Sequence, residues 1–280
     1  MRRAFGTAWT VSIVFVAMLL LLEAGAAGAK GVHAQRSAYG LGVLVPSHKG
    51  ERLPLHGGTT DSLNWSGYAV TPTGGGITAV SSAFTVPAAG LVPPGFAATW
   101  TGIGGYNTSD LIQAGTAEQS APDNPVLGPQ YYAWYELLPA GETQLTGCTG
   151  NANCTVTPGD RITVNIKQVS GNTWNIAMTN AGKWSWSKNV SYSSSRSSGE
   201  WILEAPTLIV AQTLLAPVGT VHFGPTSTYT AGGTTHTIAQ GDPTQIFLSP
   251  GVINEATPSA LAADGQSFND CAYAQTCPAP

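Results

Sequence analysis

Arg161-Ile-Thr-Val-Asn-Ile-Lys-Gln-Val169 is the stretch that decides the fold class. Ile162, Val164 and Ile166 alternate with Thr163, Asn165 and Lys167, the period of two that sends apolar side chains to one face of a strand and polar ones to the other. Outward from it, β-branched and aromatic runs recur at Ile77–Val86, Ala97–Ile103, Tyr131–Leu138, Thr173–Thr179, Lys183–Val190, Trp201–Val210 and Thr220–Phe223. Clusters of Gly, Pro, Asn and Ser separate them. Beyond the N-terminal apolar run no stretch of ten residues keeps an amphipathic helical period, and only Ala256–Ala263 is expected to make a helical turn or two. Many short strands with Gly/Pro turns over some 220 residues indicate an all-β sandwich or barrel.

The N-terminus sets the compartment. Arg2 and Arg3 precede an apolar run from about Trp9 to Leu22, and the small residues of Ala24–Ala29 follow, which is the layout of a signal peptide. Residues 1–34 are therefore expected to be removed, with cleavage between 29 and 34, and the protein to be secreted. Residues 35–60, rich in Gly, Pro, Lys, Arg and His and without sustained periodicity, read as a pro-segment or linker. Residues 61–280 form one domain. Ser191–Ser198 reads as a polar loop directly before Glu200.

Charge divides at the same place. Residues 1–60 carry six Lys/Arg against two acids, and residues 61–280 five against thirteen. An acidic domain argues against nucleic acid and anionic membrane as partners. Asp, Glu, Lys and Arg make up only 9% of the chain, so few ion pairs exist for acid to break. The four cysteines allow three pairings, of which the local Cys148/Cys154 and Cys271/Cys277 pairs, each closing a small loop, are preferred. Their spacing does not suit zinc.

Several chemistries lack their signatures. There is no Asp-Thr-Gly or Asp-Ser-Gly, no Gly-x-Ser-x-Gly and no His-Glu-x-x-His. His222 and His236 have no motif partner. What stands out is polar residues in apolar surroundings: Gln113 in Leu111-Ile-Gln-Ala-Gly115, Glu136 in Ala133-Trp-Tyr-Glu-Leu137 and Glu200 in Glu200-Trp-Ile-Leu-Glu-Ala-Pro206. Each alone is explained by a strand with one wet face.

Taken together and in order, five segments resemble the glutamic peptidases, the eqolisin family. Asn64-Trp-Ser-Gly67 is similar to the family's Asn-Trp-Ala/Gly-Gly, Trp100-Thr-Gly-Ile-Gly-Gly105 to Trp-Val-Gly-Ile-Asp-Gly, and Leu111-Ile-Gln-Ala-Gly115 to Ile-Leu-Gln-Thr-Gly. Tyr132-Ala-Trp-Tyr-Glu136 is similar to Asp-Ala-Trp-Tyr-Glu, and Gly199-Glu-Trp-Ile-Leu-Glu204 to Ala-Glu-Trp/Phe-Ile-Val-Glu. The resemblance implies a concanavalin A-like antiparallel β-sandwich of two large sheets and an acid-acting endopeptidase that needs no metal or cofactor. It implies Gln113 and Glu200 as the catalytic pair, with Trp65, Trp100 and Glu136 lining or supporting the substrate cleft. Polypeptide substrates and a monomer are expected.

The chain departs from the pattern at Gly104, where the family has Asp, at Ala205-Pro206, and beyond Ser267, where no clear final strand is legible. Two rival readings remain at this level. One is a glucanase-like glycosidase using Glu200 and Glu204, four apart on one strand but with Ile202 midway. The other is a carbohydrate-binding module with Trp134, Trp174, Trp184 and Trp186 as an aromatic platform.

Overall fold

The computed structural model describes residues 44–45, 57–72, 74–120, 128–208 and 211–280. The expected signal segment 1–34, and the expected pro-segment apart from 44–45 and 57–60, lie outside the described residues. In chain order the strands are β1 (Leu44–Val45), β2 (Gly58–Ser62), β3 (Trp65–Val70), β4 (Ile77–Thr85), β5 (Phe96–Gly104), β6 (Leu111–Gln119) and β7 (Gln130–Leu137). There follow β8 (Thr143–Gln144), β9 (Arg161–Ser170), β10 (Thr173–Asn180), β11 (Trp184–Ser191), β12 (Gly199–Glu204), β13 (Thr207–Leu208) and β14 (Ala211–Gln212). The last are β15 (Thr220–Phe223), β16 (Thr228–Ala231), β17 (Thr234–Thr237), β18 (Thr244–Leu248), β19 (Ala256–Pro258) and β20 (Phe268–Ala272). A single turn of 3-10 helix, Ile238–Gly241, is the only helix among the described residues.

Two antiparallel sheets stack. The first runs β8-β7-β6-β5-β12-β3-β18, with β2 added in parallel to β18. The second runs β11-β10-β9-β4, and the far edge of β4 is shared between the β16-β17 hairpin and β15. Hydrogen bonding continues from β15 through β20 and β19 to β18, so the two sheets join along one side and the sandwich curls on itself. Closure of this kind leaves fewer bare edges.

The core between the sheets is built by the alternation seen in the sequence. Ile162, Val164 and Ile166 of β9 and Trp174, Ile176 and Met178 of β10 point inward. They meet Ile103, Ile112, Ala114, Trp201 and Leu203 of the first sheet, all within one cluster. Trp201 ties the layers further, donating its indole N–H to the Ser81 carbonyl of β4 at 2.9 Å.

Three expectations are corrected. Ala256–Pro258 is a strand, not a helical turn: Pro258 has no N–H to give a helix interior, and the segment pairs instead with Leu248 and with β20. The tail does carry a final strand, Phe268–Ala272. Phe268 stacks on Phe223 at 4.7 Å between ring centroids and meets Tyr68 edge-on at 4.8 Å. The run from Trp201 stops at Glu204 because Pro206 cannot donate to a ladder.

Both local disulfides form, Cys148–Cys154 and Cys271–Cys277. The second fastens the chain after β20. Among the described residues one ion pair occurs, Lys183–Asp160 at 2.5 Å. None of their helices is long and apolar enough to cross a membrane.

Candidate active site

β5 and β6 are buried along all nine residues each, so the first sheet is covered on both faces. Its second face holds a separate apolar cluster that includes Trp65, Trp100, Tyr106, Tyr132, Trp134 and Ile202. Register places the polar residues of interest in this face. Glu200 of β12 lies opposite Gly102 of β5, Gly102 opposite Gln113 of β6, and Gln113 opposite Glu136 of β7. Directly opposed residues in antiparallel strands point the same way. Glu200, Gln113 and Glu136 therefore form one row across three neighbouring ladders. Gly102 separates Glu200 from Gln113 and contributes no side chain. Their Cα atoms are two strand spacings apart, about 9–10 Å, which two four-atom side chains can largely bridge.

Hydrogen bonding in the row is lopsided. Gln113 Nε2 donates to Glu136 Oε2 at 2.5 Å, which fixes the amide's orientation. Gln113 Oε1 is buried without a partner. Both carboxylate oxygens of Glu200 are likewise buried without a regular hydrogen bond; the Ser198 hydroxyl and the Tyr106 N–H face the group and only partly offset its burial. Buried acceptors without donors are costly, at about 1–3 kcal/mol each, and native proteins keep few of them. Three under-satisfied acceptors on one row, flanking the one residue without a side chain, are the site's defining feature.

Four residues along β12, a second carboxyl is fully committed. Glu204 accepts from Trp100 Nε1 at 2.8 Å and from Asn64 Nδ2 at 3.0 Å, and lies opposite Trp65, whose ring meets Trp100 edge-on at 4.9 Å. Trp100 fits because Gly115 is opposite it: a Cβ at 115 would stand 2.1 Å from the Thr99 carbonyl oxygen and 2.6 Å from Trp100 Cβ. At the far side, Glu142 accepts from the Tyr132 hydroxyl at 2.6 Å. Its residue as a whole is half-buried, yet carboxyl oxygen Oε2 is enclosed.

Burial dominates the electrostatics. It pushes Glu204 up to about 7, against hydrogen bonds from Trp100 and Asn64, and Glu142 up to about 7 against the Tyr132 bond. Glu136 is held well above the ordinary carboxylate range by burial and then by the charges of Glu142 and Glu204. Glu200 is also held well above it, first by burial and then by Asp110. The face is thus lined by carboxyls that keep their protons in acid. No cation lies among them, and no three His, Cys, Asp or Glu residues cluster as for a metal ion among the described residues.

The five residues singled out from the sequence all fall on this face. Gln113, Glu136 and Glu200 share one row, and Trp65 and Trp100 surround Glu204. Glu142, Asn64 and Tyr106 were not singled out as site residues, and nothing in the local sequence of Glu142 or Tyr106 sets them apart; their placement comes from the fold. The four tryptophans of the rival platform do not meet on a surface: Trp134, Trp174 and Trp184 are 3%, 1% and 4% exposed. For the glycosidase reading, Glu204 is pinned by Trp100, Asn64 and Trp65, with Ile202 between it and Glu200.

A model of the Peptidase A4 family matches residues 63–260. The fold is similar to that of scytalido-glutamic peptidase crystallised with a transition state analog inhibitor, at 20% identity and TM-score 0.58, covering 75% of this chain and 98% of that one. It is similar to SCP-B, a member of the Eqolisin family of peptidases in complex with the tripeptide Ala-Ile-His, at 19% identity and TM-score 0.55 with 75% and 98% covered. Aspergilloglutamic peptidase from Aspergillus niger gives 20% identity and TM-score 0.53, with 64% of this chain and 99% of that one covered. No curated protein sequence matches the chain.

Proposed function

The chain belongs to the Peptidase A4 family and is a peptidase, and from that premise we propose that it is a secreted endopeptidase, active in acid, whose reacting groups are Gln113 and Glu200. The observation that carries this reading is the trio of buried, under-satisfied acceptors, Glu200 Oε1, Glu200 Oε2 and Gln113 Oε1, on either side of Gly102.

The chemistry balances with these two groups. Ionised Glu200 takes a proton from a water held between it and Gln113 Oε1. The water oxygen bonds to the scissile carbonyl carbon, and the carbonyl electron pair moves onto oxygen. The second N–H of Gln113, left over from the bond to Glu136, stabilises that oxyanion. Glu200 then returns its proton to the amide nitrogen, the C–N bond breaks, and a carboxylic acid and an amine leave with Glu200 ionised again. Glu136 acts through Gln113 by holding the amide in one orientation. Trp65 and Trp100, both buried, support the face beneath the reacting pair by packing around Glu204. No step requires a metal or a cofactor.

The pH window follows from the two sets of carboxyls. Glu200 must lose its proton to act as base, and burial delays that loss, which sets the acid limb. Glu204 and Glu142 keep theirs until about pH 7, which sets the other limb. Activity is therefore expected on the acid side of that second limb. Replacing Gln113 by Ala removes the oxyanion donor and is expected to lower kcat by about a hundredfold or more with a much smaller change in KM. An unchanged kcat would rule out that role for Gln113.

Export and processing form part of the same reading. Residues 1–34 are a signal removed near 29–34, residues 35–60 a pro-segment or linker, and the peptidase domain runs from about 61 to 280, acting as a monomer. The strand Gly58–Ser62 pairs along β18, so the processed enzyme is expected to keep it. N-terminal sequencing of protein recovered outside the cells checks this. A start between 30 and 58 supports the processing, whereas an intact Met1 contradicts it.

A further inference from the structure

The turn between β5 and β6 and the serine-rich loop before β12 are stitched to each other directly over Glu200. Gly104 N–H donates to the Ser198 carbonyl at 2.9 Å. Ser195 N–H donates to Asp110 Oδ2 at 2.6 Å, and the Ser195 and Thr108 hydroxyls are 3.4 Å apart. The Tyr192 hydroxyl accepts from Leu111 N–H at 2.7 Å and donates to the Leu138 carbonyl at 2.9 Å, closing the loop's other end.

Asp110 can reach Ser195 because residue 104 has no side chain. Gly104 has φ +86°, and a Cβ there would stand 2.7 Å from the Asp110 carbonyl oxygen and 2.9 Å from Asp110 Oδ2. A side chain at 104 and the present position of the Asp110 carboxylate exclude one another. The segment that resembles Trp-Val-Gly-Ile-Asp-Gly thus lacks its acid at 104, and a carboxylate arrives from six residues later.

We infer that Asp110 is a positioning residue of the reaction: its carboxylate pins the serine-rich loop at the Ser195 amide and so holds Ser198 and the turn carrying Tyr106 against Glu200. The role rests on Glu200 as the base. Other groups facing Glu200 do not substitute for Asp110. Tyr106 is a phenol paired with Thr244, Gln113 is neutral, and β3 and β18 present Ala69 and Thr244. The one guanidinium of the loop, Arg196, turns away to Gln168 Oε1 at 3.2 Å. Among the described residues Asp110 is therefore the one acidic charge acting on Glu200, and it acts to keep the proton on.

The test uses enzyme produced from the full chain, comparing wild type, Asp110→Asn, Asp110→Ala and Glu200→Gln. Asp110→Asn keeps an oxygen for Ser195 N–H but loses the charge. Its kcat–pH profile is expected to move to lower pH at the acid limb, with roughly threefold higher kcat on that limb and an unchanged KM, because the rate there follows the ionised fraction of the base. Asp110→Ala loses the acceptor as well; amide exchange at Ser195 is expected to accelerate about tenfold or more, and kcat to fall by a similar factor. A lowered melting temperature in Asp110→Ala with the acid limb unmoved in both Asp110 variants would overturn the inference. Glu200→Gln separates the two failures. Activity remaining in that variant sinks the base assignment, whereas an inactive Glu200→Gln beside an unmoved Asp110→Asn profile sinks only the role of Asp110.

Discussion

Glu200→Gln is expected to lose peptide hydrolysis by at least ~10³-fold while folding normally, because general-base catalysis and proton return to the leaving amine both disappear. The fold should tolerate the change well. Glu200 is 0% exposed, and burial holds its carboxyl well above the ordinary carboxylate range, so at the acid end of the pH range a neutral amide of the same shape replaces a neutral acid. The variant should even gain stability relative to wild type near neutral pH, since it has no proton to lose there. Activity assays paired with thermal melts at pH 4 and pH 7 check both halves of this statement. A variant that is inactive because it is unfolded would show no melt at pH 4 and would not support the assignment.

The second large effect concerns the whole molecule. Besides the three carboxyls on the row and at Glu204, the fold encloses Glu142, Glu118 and Asp270. Glu118 sits on the opposite face of β6, bonded to Thr116 at 2.6 Å, and burial holds it well above the carboxylate range. Asp270 accepts from Ser66 at 2.7 Å and is pushed up by burial to about 8. A carboxyl whose folded pKa is raised favours the folded state fully below its unfolded pKa, near 4, and that contribution is lost as pH rises through the folded value. The loss therefore begins above about pH 4 and runs through about 7 for Glu142 and Glu204 and about 8 for Asp270.

Each such group changes stability by about 1.4 kcal/mol per pH unit within its window, so several together approach the 5–15 kcal/mol that holds a typical domain folded. Two acids act the other way. Asp160, held down by Lys183, Asn180 and Thr157 despite partial burial, and Asp264, held down by Ser267 and Gln266, lose their contribution as pH falls below the ordinary carboxylate range. The melting temperature is thus expected to be highest near pH 4 and to fall by roughly 10 °C or more by pH 8. A flat or rising melting temperature over that range would show that these carboxyls are not neutral in the fold.

How much of this was legible beforehand depended on how many faces of a strand are dry. β9 and β10 keep a clean period of two, because one face meets the core and the other meets water, and their bounds agree with the sequence to within a residue. β6, Leu-Ile-Gln-Ala-Gly-Thr-Ala-Glu-Gln, has no such period; both of its faces are buried, and all four of its polar residues are spent on internal partners. Its strand period is not legible, and only Gln113 in its apolar opening, with the motif there, draws attention to it. The last strand escaped notice because its inward positions hold Phe268 and Asp270, and a buried Asp looks like a turn residue in one dimension. The Ala-rich stretch from 256 suggested helix by propensity, which tertiary pairing overrode.

The site shows the same division. Gln113, Glu136 and Glu200 could be picked out as polar residues in apolar company, but their alignment in one row depends on registers across three ladders. Gly102, which opens the space between Gln113 and Glu200, is informative only once its neighbours are known. Glu142 and Asp110 stand in a loop and a turn, where an acid is ordinary; their importance comes from what folds over them.

The most direct test of the account is cleavage of an unfolded protein from pH 2 to 8 by the processed enzyme, with Glu200→Gln and Gln113→Ala alongside and pepstatin and a chelator as controls. The account predicts a bell-shaped profile peaking on the acid side of about pH 7, unaffected by either inhibitor and lost in both variants while their folds persist. Full activity in Glu200→Gln at any pH, or abolition of wild-type activity by the chelator, would contradict it.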